Sequence, residues 1–128
     1  MDEGASSRTR NWVVEQGTST EFSISWWVET EVASALSKKV REGQIEVADR
    51  DRGMKAFKAL ILASAETMPV VHEHFRTAER LCLHETAGLR ASDALHLAIA
   101  AESDSVLCTL DKRMAQAGME LGVATELV

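Results

Sequence analysis

Three places in the chain set a carboxylate where it can do chemistry: the Glu29–Glu31 segment, Asp93 and Asp111. Oxygen donors of this kind suit Mg²⁺ or Mn²⁺, which prefer octahedral oxygen coordination. Such an ion activates water and clamps the oxygens of an in-line phosphoryl displacement. It also answers a charge problem. The chain carries 14 Lys and Arg against 20 Asp and Glu, a net charge of −6. A chain this acidic exerts no global pull on nucleic acid, so a bound cation or a local basic strip must offset the repulsion. Each acid also has a plainer role. Asp111 follows the apolar run Val106–Leu110 and can cap the helix that begins at Lys112. Asp93 stands in the first turn of an otherwise apolar helix, where an acid complements the helix dipole by about 0.3–1 kcal/mol. Ser92 is already a good N-cap for that helix, so a second acid is more than capping needs. At about 100° per residue, Glu29 and Glu31 fall on opposite flanks of the stripe Val28, Val32, Ala35 and Leu36. Periodicity does not choose between them.

The elements that must position these acids can be read along the chain. Asp2–Glu15 has helical spacing, and Gly17–Thr20 breaks it. Glu21–Ser25 alternates with the period of a strand. Trp27–Glu42 carries one apolar stripe and closes at Gly43. A third helix runs from Glu46 to Ala65, with Val47, Met54, Phe57, Leu60 and Ile61 as its core side. Met68–Val71 is a short strand with its proline near the start. Glu73–Glu85 is a fourth helix with Phe75, Ala78, Leu81 and Cys82 at core spacing, ended by Gly88. Asp93–Glu102 is apolar nearly all round and must be buried. Val106–Leu110 is an inner strand, Asp111 caps a helix to Ala117, and Val123–Val128 is a final edge strand. Strands alternating with helices over 128 residues predict one α/β domain whose parallel sheet is covered on both faces. Sites in such sheets form at the carboxyl ends of the strands, which is where Asp111 lies.

The remaining polar residues carry weaker signals. His72 and His74 resemble a metal pair but fall at a helix start, where solvation is the simpler account. His96 stands one turn after Asp93, within reach of its carboxylate. Thr109 can orient a water or a ligand near Asp111. Trp26 and Trp27 read as core. Lys38, Arg90 and Arg113 can touch a nucleic-acid backbone, though a solvated basic face explains each. The two cysteines, Cys82 and Cys108, form neither a disulfide framework nor a zinc motif and fit a reducing, cytoplasmic setting. The longest nearly apolar run is too short to span a bilayer, and no secretory signal is visible. Nucleotide-loop and serine-hydrolase motifs are absent.

Three segments together carry a family resemblance. The helix around Thr30-Glu31-Val32-Ala33-Ser34-Ala35-Leu36, the segment Leu89-Arg90-Ala91-Ser92-Asp93-Ala94-Leu95-His96-Leu97-Ala98 and the strand end Cys108-Thr109-Leu110-Asp111-Lys112-Arg113 resemble, in order and spacing, PIN-domain ribonucleases of the VapC toxin type. The resemblance implies a doubly wound α/β/α fold and Mg²⁺- or Mn²⁺-dependent endoribonuclease activity. It also implies restraint by a cognate antitoxin protein, and homodimers. It selects Glu31 over Glu29 and assigns Glu31, Asp93 and Asp111 to the metal, with Thr109 as a supporting hydroxyl.

One departure stands out. The family opens with a central apolar strand that ends in a first metal-binding aspartate, and Met1-Asp2-Glu3-Gly4 corresponds to the segment after it. The expectation is a single PIN-like domain over residues 1–128, shortened at its N-terminus, with strands 21–25 and 106–110 each lacking a neighbour. The retention of all three acids favours a gene start placed too late over a decayed enzyme. The rival reading is a catalytically impaired module that only engages an antitoxin or a dimer partner.

Overall fold

The computed structural model describes residues 8, 11, 12, 14–16 and 21–128. The expected N-terminal helix lies partly outside these, but all six described residues between 8 and 16 are helical. The expected break at Gly17–Thr20 lies wholly outside. Among the described residues no helix is long and apolar enough to cross a membrane.

The order is β1 (Phe22–Ser25), α1 (Trp26–Arg41), α2 (Val47–Ser64), β2 (Ala65–Met68), α3 (His72–Cys82), α4 (Ala91–Glu102), β3 (Leu107–Thr109), α5 (Lys112–Leu121) and β4 (Thr125–Leu127). Both strand pairs are parallel, so the fold is α/β. The strands form two separate two-stranded ladders, β1 with β2 and β3 with β4. The chain correspondingly divides into two compact units, residues 18–70 and residues 1–17 with 71–128.

In unit 18–70, α1 and α2 form an antiparallel pair. Glu46 and Asp49 start α2, the Glu46 N–H donating to Asp49 Oδ2 at 3.0 Å. Gly53 lets the helices approach: a Cβ there would sit 3.3 Å from a terminal methyl of Leu36. The apolar stripe of α1 is only half covered, and the helix contains no buried residue. Trp26 is 57% exposed rather than core. Successive helical residues point about 100° apart, so Trp26 and Trp27 cannot both face inward. On α2, Ile61 is buried, while Val47 and Leu60 are exposed.

The strand expected at Met68–Val71 lies three residues earlier, directly after α2. Pro69 explains the shift. It has no N–H for a ladder, and it holds Met68 in extended backbone, so the strand ends at the proline rather than starting there.

In the other unit α4 is the core element. Ala94, Leu95, Leu97, Ala98, Ile99 and Ala100 are all buried, and Leu97 is 0% exposed. Leu97 and Ala100 pack with Met114 and Val123, and Leu81, Leu89, Leu107 and Leu121 close around them. α3 packs on α4 through His74, Thr77 and Ala78. The face predicted for α3 holds at Ala78, which is buried, and at Leu81, which packs on the core, but Phe75 and Cys82 are exposed and His74 and Thr77 take their place. Polar pairing drives this. The Thr77 hydroxyl donates to Glu102 Oε1 at 2.6 Å and accepts from Arg80 Nη2 at 2.9 Å. A hydroxyl so satisfied enters a helix interface at little cost.

β4 returns to β3 after α5 and Gly122, whose φ of +75° is the left-handed cap that glycine adopts freely. Gly118 faces β4 so closely that a Cβ would collide with the Thr125 side chain.

Candidate active site

Asp111 stands one residue beyond Leu110, at the turn from β3 into α5. Its Oδ1 accepts from the N–H of Arg113 at 2.9 Å and of Met114 at 3.4 Å. The capping role is therefore real. The Asp111 N–H in turn donates to Thr109 Oγ1 at 3.0 Å. Thr109 thus supports the turn that presents the acid. Its carbonyl also accepts from the Val128 N–H at 2.8 Å, tying that turn to the end of β4. Only Oδ1 is engaged, and Oδ2 has no hydrogen-bond partner among the described residues. Capping aims the carboxylate rather than consuming it.

Asp93 lies in the first turn of α4, partly exposed. Its helix is capped at Arg90, not at Ser92, and no side chain makes the cap bond. Ser92 sits inside the helix, so the expectation that it caps is corrected. The physical reason is that helix α4 starts at Ala91, three residues before its buried apolar stretch begins at Ala94, using the extended backbone of Arg90. Asp93 then becomes the helix's one acid in that turn, where the dipole favours negative charge.

Glu31 lies in α1, in unit 18–70, and is half-exposed; Asp93 and Asp111 belong to the other unit. Among the described residues no group of three or more His, Cys, Asp or Glu side chains is gathered as a metal site. The donor types nonetheless suit a hard divalent ion, because the three acids offer only carboxylate oxygens.

The basic candidates differ. Lys38 is drawn to Glu42, 3.9 Å away. Arg90 and Arg113 are exposed at the heads of α4 and α5, beside Asp93 and Asp111 respectively, and neither forms an ion pair among the described residues. His96 is half-exposed. His74, expected in solvent, is buried, and its Nδ1 accepts from the Val71 N–H at 3.0 Å. It caps α3 and is no half of a metal pair with His72, which is exposed. The signal for this was its position three residues after Val71, the spacing of a cap. Cys82 and Cys108 are free thiols. Partial burial, and then the Glu126 carboxylate on the neighbouring strand, push the Cys108 thiol above its ordinary 9.0.

A family model for the PIN domain matches residues 2–119, and the chain belongs to the PIN domain family. PIN domains are in general nucleases that act on nucleic acid, and they commonly use divalent metals. No curated protein matches the chain.

Proposed function

We propose that this protein is a metal-dependent endoribonuclease of the VapC type, the toxin of a toxin–antitoxin pair, acting in the cytoplasm as a homodimer and restrained by a cognate antitoxin protein. The observation that carries this reading is Asp111 at the carboxyl end of a parallel strand, fixed through Oδ1 and Thr109 while Oδ2 stays available. Glu31, Asp93 and Asp111 would hold Mg²⁺ or Mn²⁺. When bound, such an ion polarises the scissile phosphate and lowers the pKa of the attacking water.

The chain's own residues do the rest. The two N–H groups on Asp111 Oδ1 hold the carboxylate in one orientation. Thr109 Oγ1 accepts from the backbone, so its hydroxyl proton is free to donate to a phosphate oxygen or a water. Arg90 and Arg113 bring positive charge beside two of the acids and steer the RNA backbone, and Lys38 is the third basic residue of this reading.

Cleavage of RNA by the purified protein with Mn²⁺ tests the reading. Asp93→Asn and Asp111→Asn should each lower the rate by about a hundredfold or more. Asn caps a helix nearly as well as Asp at position 111, and at position 93 no cap bond is at stake, so the fold should persist by circular dichroism. Mn²⁺ should also raise the melting temperature of the wild-type chain and not of Asp93→Asn. Undiminished cleavage by either variant, or a melting temperature indifferent to Mn²⁺, overturns the proposal.

A second reading is a non-catalytic PIN-like module that engages only an antitoxin or a dimer partner. It is favoured by the lack of a gathered three-ligand group among the described residues. Its signature is a stable complex with the partner together with no cleavage under any divalent ion.

A further inference from the structure

The outer edge of β4 and the adjoining side of α5 form an open groove of about 650 Å³, lined by Lys112, Ala115, Met119, Glu120, Thr125 and Leu127. Its floor is apolar and unusually bare: Met119 is 76% exposed and Leu127 46%. Among the described residues the backbone beside it pairs with no strand other than β3. In the parallel ladder the Leu107 N–H donates to the Ala124 carbonyl, and the Val128 N–H donates to the Thr109 carbonyl. Glu126, between them, is the β4 residue turned toward β3, so the peptide groups of Thr125 and Leu127 point outward. An edge strand with free peptide groups beside an apolar groove is a template for another strand.

The charges say which strand. α5 runs opposite to β3 and β4, so Lys112 stands at the Leu127 end of the groove and Glu120 at the Thr125 end. Neither forms an ion pair among the described residues. A two-fold axis normal to the ladder would set β4 antiparallel to its own copy. Each Lys112 would then meet the other copy's Glu120, and the two Met119–Leu127 surfaces would cover each other. A surface with opposite charges at its two ends and an apolar middle complements itself under that rotation.

We propose that the α5–β4 groove joins two copies of this chain edge to edge through β4. The proposal names the surface for the homodimer of the preceding reading and in that respect rests on it. Glu126 is held away from the groove: its Oε1 accepts from the Trp12 indole N–H at 3.0 Å.

Sedimentation equilibrium on the full chain tests the surface. The wild type should be a dimer at high micromolar concentration, weakening as salt rises. Glu120→Lys and Lys112→Glu each place like charges together and should raise the dimer dissociation constant by about tenfold or more. The double variant, Lys112→Glu with Glu120→Lys, should restore the dimer. Leu127→Pro removes one outward N–H from an edge strand, a position that tolerates proline, and should give a folded monomer by circular dichroism. A wild type that stays monomeric overturns the proposal, whether or not it cleaves RNA. A dimer unmoved by Glu120→Lys and Leu127→Pro places the contact elsewhere and overturns it too, while leaving the homodimer reading standing.

Discussion

Residues 18–70 and residues 71–128 are built from the same kinds of part: two parallel strands together with helices, two between the strands in the first stretch, one between them and two before them in the second. They differ in what those parts bury. In the second stretch α4 is enclosed and Leu97 is wholly removed from solvent; in the first, α1 has no buried residue. The same polypeptide chemistry has thus produced one unit held by an apolar interior and one held by half-covered stripes. Burial, not helix content, is what ranks them. About 25 cal/mol is gained per Å² of apolar surface removed from water, so a stripe left half wet contributes about half as much.

The largest test of this contrast is truncation of the core side chains. Leu97→Ala should cost about 2–5 kcal/mol in urea unfolding, because a rigid interior keeps the cavity. Leu36→Ala, on the half-covered stripe of α1, should cost about 1 kcal/mol. Equal losses would break the comparison.

Glycine offers a sharper version. Gly118→Ala drives a methyl into the Thr125 side chain and within 3.2 Å of the Val123 carbonyl. Overpacking of this kind should cost about 1–3 kcal/mol. At Gly53 the nearest atom is a leucine methyl that can rotate away. There the gain in helix propensity, about 1 kcal/mol, should leave Gly53→Ala neutral or stabilising. Thermal melts of the two variants should shift in opposite directions or differ plainly in size.

A third test compares caps. Asp111→Ala should cost about 1 kcal/mol, and Asp49→Ala, at the head of α2, a similar amount or less; Asp111→Asn should lose only a few tenths. The same Asp111 pair therefore separates stability from RNA cleavage, which both substitutions should impair.

Much of the fold was legible in the sequence where a signal was local. The apolar composition of Ala94–Ala100 made α4 an interior helix, and it is one. The Val106–Leu110 run followed by aspartate marked β3 and its cap. What was not legible depended on partners far along the chain. Thr77 enters the α3–α4 interface because Glu102 waits there, 25 residues on. Nothing in the local spacing of α3 distinguishes that face from the one led by Phe75. Pro69 closes a strand rather than opening one, since the restriction it places on Met68 acts backward along the chain. For the site, position alone located Asp93 and Asp111 at the heads of helices. Choosing Glu31 over Glu29 took the likeness to a family, because the two flank one stripe symmetrically.

The smallest expected effect concerns Cys108. Its raised pKa means that the folded state favours the protonated thiol. The associated stability is intact below the ordinary value of 9.0 and is lost as the pH climbs through the higher folded value. Alkylation near neutral pH should therefore be slower at Cys108 than at Cys82, and the gap should narrow on unfolding. Equal rates in the folded protein would show that Glu126 and partial burial leave the thiol untouched.

The bond from the Val128 N–H to the Thr109 carbonyl has a practical side. It moors the last residue of the sequence to the residue whose hydroxyl steadies Asp111. A purification handle fused after Val128 would start beside the turn that presents Asp111. Handles and fluorophores are better attached at the Asp104–Ser105 bend, where Asp104 is exposed and already turns with a φ of +53°.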